Sequence, residues 1–258
     1  MTLSFNYLGN LGHQGNQMFQ YATLFALSKR LGVDAVCPHE NMLLPECFDL
    51  SLPAGWPTHT ATLREKDFSY DPTLNSADKE KDHDIYGYFQ SERYFEDYRD
   101  EIKKEFTFKD EIKENAYANK SAFGLRKTVS VHVRRGDYVS LQHTHPLQEA
   151  SYYEKALEQF VGYTPIIFSD DINWCKQNFS LDNCLFSPYS VSNERTGSKA
   201  FEEMCLMSMC EGHIMCNSSF SWWASWLSGK KTVAPAKWFG LNGPKNWSDV
   251  YLKEWIVI

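Results

Sequence analysis

From about residue 127 the sequence keeps one rhythm: a short apolar run, a turn, a stretch with helical spacing, then another short apolar run. The runs are TVSVHV (128–133), PIIFSDD (165–171), NCLFSPY (183–189), HIMCN (213–217) and KTVAPAKWF (231–239). Between them lie ASYYEKALEQFVG, a short helix carrying Trp174 and Cys175, then SKAFEEMCLMSMC and SSFSWWASWLSG. Strands that run the same way need a long crossover, and a helix is the compact form of one. This alternation therefore predicts a parallel sheet with right-handed crossovers, an α/β fold. Because the rhythm begins only there, the chain is expected to divide near residues 120–127 into two lobes, 1–125 and 126–258.

The first lobe is less regular. GNQMFQYATLFALSKRLG (15–32) is its clearest helix. Met18, Tyr21, Ala22 and Phe25 form one apolar stripe, and Leu24, Leu27 and Leu31 form a second, so the helix is buried on more than one side. Gly32 is its stop. A short extended piece, VDAVC, follows. The polar, Pro-containing stretch 51–84 reads as loop, and DIYGYFQSERYFEDYRDEIKKEF as a strand or turn leading into a helix.

Composition removes some function classes. The net charge is -7, with no long basic run or basic–aromatic stripe. Phosphate neutralisation needs clustered Lys and Arg, so nucleic acid is not an expected partner. No run of about 18 apolar residues occurs, which excludes a helical membrane span from the sequence. The start, MTLSFNYLGN, has neither a charged n-region nor a long apolar core, so the expectation is a cytoplasmic protein. The seven cysteines include no CxxC pair and should be free, mostly buried thiols. Cys205, Cys210, His213 and Cys216 invite comparison with a zinc site. However, Cys205 and Cys210 would stand roughly 140° apart on a helix, and no metal is expected there.

In open parallel sheets ligands gather beyond the carboxyl ends of the strands. Three such ends carry unusual polar groups. The first is VSVHVRRGDYV (129–139). Strand period places His132 and Arg134 on one face, with Val129, Val131 and Val133 on the other. A guanidinium is permanently charged and forks onto phosphate oxygens, so Arg134 can hold a diphosphate without a metal ion. The bland alternative is a structural ion pair, Arg135 with Asp137. The second end is FSDD (168–171), whose carboxylates suit ribose hydroxyls or guanine N–H groups; one of Ser169, Asp170 and Asp171 equally suits a helix N-cap. The third is NSSFS (217–221), where Ser218, Ser219, Phe220 and Ser221 open a helix whose free N–H groups suit phosphate. Trp222, Trp223 and Trp226 are expected in the core. Near the N-terminus, GNLGHQGNQ is neither GxGxxG nor a P-loop. Asn16 and Gln17 open the helix there, as neutral donors for an anion or as caps.

Taken in order, GNQMFQYA (15–22), GYFQSERYF (87–95), HVRRGDYV (132–139), FSDD (168–171) and NSSFSWWASWL (217–227) resemble one family. It is the GDP-fucose-dependent alpha-1,2-fucosyltransferases, glycosyltransferase family 11, in their short bacterial form. The resemblance runs from about residue 9 to about 240. It implies a GT-B-like fold of two Rossmann-like lobes, with the nucleotide held mainly by the C-terminal lobe and the acceptor on the N-terminal side. It further implies inverting, metal-independent transfer of L-fucose from GDP-beta-L-fucose to the 2-hydroxyl of a terminal galactose, with no cofactor. On this likeness Arg134 binds the diphosphate, His132 lies against the guanosine, and Asp171 contacts guanine. Ser218, Ser219, Phe220 and Ser221 surround the phosphates, and Glu203 is the acidic residue expected in the preceding helix. Asp137 is a candidate general base, or a member of the strand-end turn; Glu92 is a weaker one. A bacterial enzyme of this kind is expected in the cytoplasm, peripherally associated with the inner membrane. Gly12-His13-Gln14-Gly15-Asn16-Gln17 departs at two positions from the family's usual Gly-Gly-Leu-Gly-Asn-Gln.

Two other readings compete. Asp82 and Asp84 of DHD would be the DxD of a metal-dependent GT-A transferase, two carboxylates bridging a divalent ion to diphosphate, unless that charged stretch is merely a solvated loop. A non-catalytic glycan-binding protein would use the same aromatic residues without donor chemistry.

Overall fold

A computed structural model describes residues 2–124, 127–179, 184–192 and 197–258 of the protein. The chain separates into two compact units, Met1–Phe108 with Lys245–Leu252, and Lys109–Pro244 with Lys253–Ile258. The division thus falls earlier than 125, and a short C-terminal segment returns to the first unit. The reason is helix α4 (Asp110–Ala122), which buries Ile112 and Ala116 and packs on the second unit's helix α8 (Ser198–Ser208).

In the first unit the described strands are β1 (Thr2–Ser4), β2 (Asp34–Val36), β3 (Ala61–Arg64) and β4 (His83–Tyr86). They form one parallel sheet in the order β2-β1-β4-β3. Helix α1 (Gln14–Leu31) follows β1 and is buried almost all round, as its two apolar stripes require, with Gly32 closing it. Helices α2 (Leu44–Cys47) and α3 (Arg99–Glu105) complete the unit's α-elements. The 51–84 stretch is not loop throughout, since β3 and the start of β4 lie in it. Asp84 sits on a buried strand rather than in a solvated loop: its Oδ1 accepts from Ser4 Oγ (3.0 Å) and from the Asn6 amide (2.8 Å). Asp82 accepts from the Thr2 amide at 2.6 Å. The DHD carboxylates therefore fasten β4 to β1.

The second unit carries the predicted alternation. Its strands are β5 (Thr128–Val133), β6 (Thr164–Ser169), β7 (Leu185–Phe186), β8 (Gly212–Ile214), β9 (Thr232–Ala234) and β10 (Ile256–Val257). Between them run α5 (Ala150–Leu157), α6 (Ile172–Asn178), α7 (Pro188–Ser192), α8 and α9 (Ser219–Ser228). Asn183, the first residue of one expected strand, lies outside the described residues. All strand pairs are parallel, in the order β10-β9-β8-β5-β6-β7. Numbered from β5, this is the doubly wound order 3-2-1-4-5-6. The chain builds outward from β5 through β6 to β7, then crosses back to begin the other half at β8. The order reverses between β5 and β8.

Both faces of β5 are covered. Val129, Val131, Val133, Tyr153, Ala156, Phe160 and Ile167 pack together on one side. The polar alternates are buried too, and they are paired: Ser130 Oγ lies 2.8 Å from His213 Nδ1 on the neighbouring β8. Trp222, Trp223 and Trp226 of α9 are fully buried and cluster with Trp255, so they are core residues as expected.

Candidate active site

The carboxyl ends of β5 and β8 flank the reversal point, where two diverging connections leave a crevice. Residues from three segments meet beside it: Arg134–Tyr138 after β5, Asp170 and Asp171 after β6, and Cys216–Ser218 after β8.

Arg134 is the first residue beyond β5, and its side chain is 31% exposed, enough to meet a ligand. Nη2 donates to Asp137 Oδ1 at 2.7 Å, and Nη1 forms an ion pair with Asp170 Oδ2 at 3.0 Å. Burial works against the charge, but Asp170 and Asp137 outweigh it and hold the guanidinium above its ordinary range. A permanent cation is thus fixed by two carboxylates at the mouth of the crevice.

Arg135 points elsewhere. Its amide donates to Asp170 Oδ1 (2.7 Å), its Nε donates to Asp171 Oδ2 (3.1 Å), and its guanidinium lies 4.1 Å from the centre of the Trp174 ring. Arg135 is thus in a structural ion pair, as the bland alternative had it, but with Asp171 rather than Asp137. The short helical turn Asp137–Val139 carries Asp137 back to Arg134 instead, three residues away. Gly136 makes this possible: a Cβ there would lie 2.6 Å from Asp170 Oδ2.

Asp171, expected against guanine, is the N-cap of α6. Its Oδ1 accepts from the Trp174 amide at 3.0 Å while Oδ2 holds Arg135. Asp170, which the sequence offered as a nucleotide contact or an N-cap, is the residue that joins both arginines. The signal for that role was present only in the pairing of β5 with β6, where Val133 stands opposite Ser169 and so brings Arg134 beside Asp170.

His132 is buried. Its Nδ1 is 3.2 Å from Cys216 Sγ, and its ring lies 5.6 Å from that of Phe220. Burial pushes the Cys216 thiol up to about 12, so it stays protonated at neutral pH. Ser218 caps α9 by accepting from the Phe220 amide, and Ser221 donates its hydroxyl back to the Ser218 carbonyl. Both hydroxyls therefore serve the helix end, whereas Ser219 is half-buried beside them.

Glu203 is buried on α8. Its Oε1 accepts from Ser187 Oγ (2.9 Å) and Ser190 Oγ (2.5 Å). Ser190 Oγ accepts from the Ser169 amide, and Ser169 Oγ from the Asp171 amide. A buried carboxylate on α8 thus fixes the end of β6 through two serines.

Two further residues, Tyr138 and His145, adjoin Arg134. Tyr138 stacks on His145 at 4.8 Å and donates to the Asn217 carbonyl at 3.0 Å. Burial lowers the half-buried His145 imidazole below its ordinary value; Asp137 works against that shift and Arg134 with it.

The residues considered for zinc do not converge. His213 pairs with Ser130, Cys216 lies against His132, and Cys210 Sγ turns to the Leu206 carbonyl. Among the described residues there is no group of three or more His, Cys, Asp or Glu placed to hold a metal ion.

Asn16 and Gln17 belong to the first unit. Helix α1 begins two residues before Asn16, at Gln14. Asn16 Oδ1 accepts from Gln90 Nε2 at 2.7 Å, and Gln17, buried, accepts from the Leu43 amide at 2.9 Å. Gln17 is a latch between α1 and the chain entering α2.

The profile described as Glycosyl transferase family 11 matches residues 5–258 of this sequence. The chain belongs to that family. Within family 11, it is 38% identical to an alpha-1,2-colitosyltransferase of Escherichia coli over 59% of this chain and 55% of that enzyme. It is 33% identical to galactoside alpha-(1,2)-fucosyltransferase 2 of Mus musculus over 97% of this chain and 77% of that protein. The chain therefore spans little more than half of the first relative and about three quarters of the second. Among solved structures, fucosyltransferase NodZ from Bradyrhizobium superposes with a TM-score of 0.56 at 14% identity, covering 86% of this chain and 92% of NodZ. Arabidopsis thaliana FUT1, solved with GDP, gives 0.57 at 10% identity, covering 95% of this chain and 71% of that one. At those identities the likeness shows the fold, and the fold is the GT-B-like α/β architecture expected.

Proposed function

We infer that this family-11 chain is a galactoside alpha-1,2-fucosyltransferase, moving L-fucose from GDP-beta-L-fucose to the 2-hydroxyl of a terminal galactose with inversion. The observation that carries the reading is Arg134: a partly exposed guanidinium at the reversal point between β5 and β8, fixed by Asp137 and Asp170. The activities named for the relatives suggest the sugar and the linkage, and the ligands of the fold neighbours suggest the nucleotide.

Breaking the anomeric C–O bond leaves positive charge on the sugar and negative charge on the departing GDP. Fixed positive charge where the diphosphate develops charge is the largest help available. Arg134 provides it here, and the positive end of the α9 dipole, capped by Ser218, adds to it. The acceptor hydroxyl attacks from the opposite face. Asp137, whose side chain is 48% exposed, accepts the hydroxyl proton late in the step. Arg134 does the work that a divalent cation performs in other sugar-nucleotide enzymes, so transfer is proposed to be independent of added metal.

Incubation with GDP-fucose and an array of galactose-terminated acceptors, with linkage determined by NMR, tests the reading. An alpha-1,2 linkage to galactose is expected. Transfer to another hydroxyl, or binding of glycans without transfer, overturns it. The likeness to the colitosyltransferase supports a second donor, and a competition between colitose and fucose donors decides which sugar is preferred.

A further inference from the structure

In the first unit's sheet, β2-β1-β4-β3, the central strands β1 and β4 are neighbours, and the segments that follow them meet. Gln90, after β4, donates to Asn16, after β1. Gln20 donates to the carbonyls of both Leu11 and Gly87, tying the same two segments together. Tyr7, more than half exposed, packs edge-on against Tyr86, the last residue of β4. Paired amides and an exposed ring at the carboxyl ends of a parallel sheet suit a polyhydroxylated ligand.

The segment that brings Gln90 there is strained. Phe89 is fully buried and adopts φ 54°, the one non-glycine residue with positive φ among the described residues. A buried aromatic residue in the left-handed region persists only where its surroundings hold it, and such residues gather at functional sites. The holding group is Glu65, the first residue past β3. Its Oε2 accepts from the Tyr88 amide at 2.7 Å and its Oε1 from the Phe89 amide at 2.9 Å. Gly87 leaves the room: a Cβ at that position would lie 2.7 Å from Glu65 Oε2.

We propose that Glu65 is a positioning residue for sugar transfer: by gripping two consecutive N–H groups it fixes the strained turn that presents Gln90 and Asn16 to the hydroxyls of the acceptor. This rests on the fucosyl-transfer reading above. Only the ionised carboxylate offers two full acceptors, so the grip is complete when Glu65 is charged. Burial raises its pKa to about 7; the Tyr88 and Phe89 amides oppose the rise and Asp67 adds to it. The other titratable groups that feel its charge are Tyr88 itself and Tyr94. Activity should therefore rise with pH through about 7. Stability runs the other way, because a carboxyl whose folded pKa is raised stabilises the fold when protonated and loses that contribution as pH rises.

The test compares wild type with Glu65→Gln, which keeps the shape but loses one acceptor, and Gln90→Ala. In Glu65→Gln the 88–89 amides should exchange about tenfold faster. The specificity constant for the acceptor should fall about tenfold or more while GDP affinity stays within about twofold. The wild-type acid limb near pH 7 should vanish in that variant, and Gln90→Ala should reproduce the acceptor defect. Unchanged exchange at 88–89 refutes the grip. Faster exchange with acceptor kinetics within about twofold of wild type refutes the positioning role. A wild type that transfers no fucose refutes the underlying function instead, and leaves the exchange measurement to judge the grip by itself.

Discussion

Asp170 holds both arginines of the RRGD turn: its Oδ2 lies 3.0 Å from Arg134 Nη1, while its Oδ1 accepts the Arg135 amide at 2.7 Å. One carboxylate from the end of β6 thus sets the position of the cation at the end of β5. Arg134 is left with a rigid mount and an exposed edge.

Replacing Arg134 with alanine should lower turnover by roughly 10²–10³-fold, the scale of losing one fixed group that stabilises transition-state charge. Arg134→Lys should recover part of it, since a point charge remains without the fork. Turnover, GDP affinity and circular dichroism are the measurements. Turnover within a few-fold of wild type would remove Arg134 from the chemistry.

Gly136→Ala should displace the Asp170 carboxylate, because the new Cβ would sit 2.6 Å from Oδ2. The expected result is a fall of roughly 10- to 100-fold in kcat/KM, the cost of misplacing a catalytic group by a fraction of an ångström to an ångström. A crystal structure of the variant would show whether Arg134 moves with its partner.

Glu203→Ala should act first on stability. It leaves Ser187 and Ser190 without their common acceptor inside the protein, a loss of about 2 kcal/mol or more. Thermal melting should fall by roughly 5 °C. A large loss of GDP affinity with unchanged melting would instead make Glu203 a direct nucleotide contact.

Acid should weaken the fold through His213. Burial holds its imidazole down to about 3 against an ordinary 6.5, with Glu211 opposing. A histidine kept neutral in the fold contributes its full stability above 6.5, and loses it as pH falls toward 3. The unfolding free energy should therefore drop by up to roughly 1.4 kcal/mol per pH unit in that window from this residue. Urea denaturation at pH 7.5 and 5, compared with His213→Asn, should show a shallower dependence in the variant.

On the proposed role of Arg134, EDTA should leave turnover within about twofold, and Asp84 is committed to Ser4 and Asn6. Activity abolished by EDTA and restored by manganese would revive the DHD reading.

Much of the second unit was legible in its sequence. The runs at TVSVHV, PIIFS and HIMCN declared themselves because buried parallel strands are short, apolar and separated by helices whose own spacing differs. The tryptophans of α9 were assigned correctly to the core for the same reason. In the first unit β3 stayed hidden. ATLR is half-exposed and polar, and its pairing with β4 supplies what its own sequence does not. The unit boundary moved from near 125 to 108/109 because α4 takes its partner from α8, about ninety residues onward.

The sequence by itself determined the strand–helix alternation, the family and the arginine at the end of β5. Each of these is written in local spacing or in contiguous motifs. Which carboxylate holds which arginine was decided only in three dimensions. Arg134 and Asp170 are thirty-six residues apart, and they meet because Val133 pairs with Ser169 across two parallel strands. Strand register is a property of the packed sheet, so Asp170 and Asp171 received their separate roles from the fold, whereas Asp137 reaches Arg134 through a local turn.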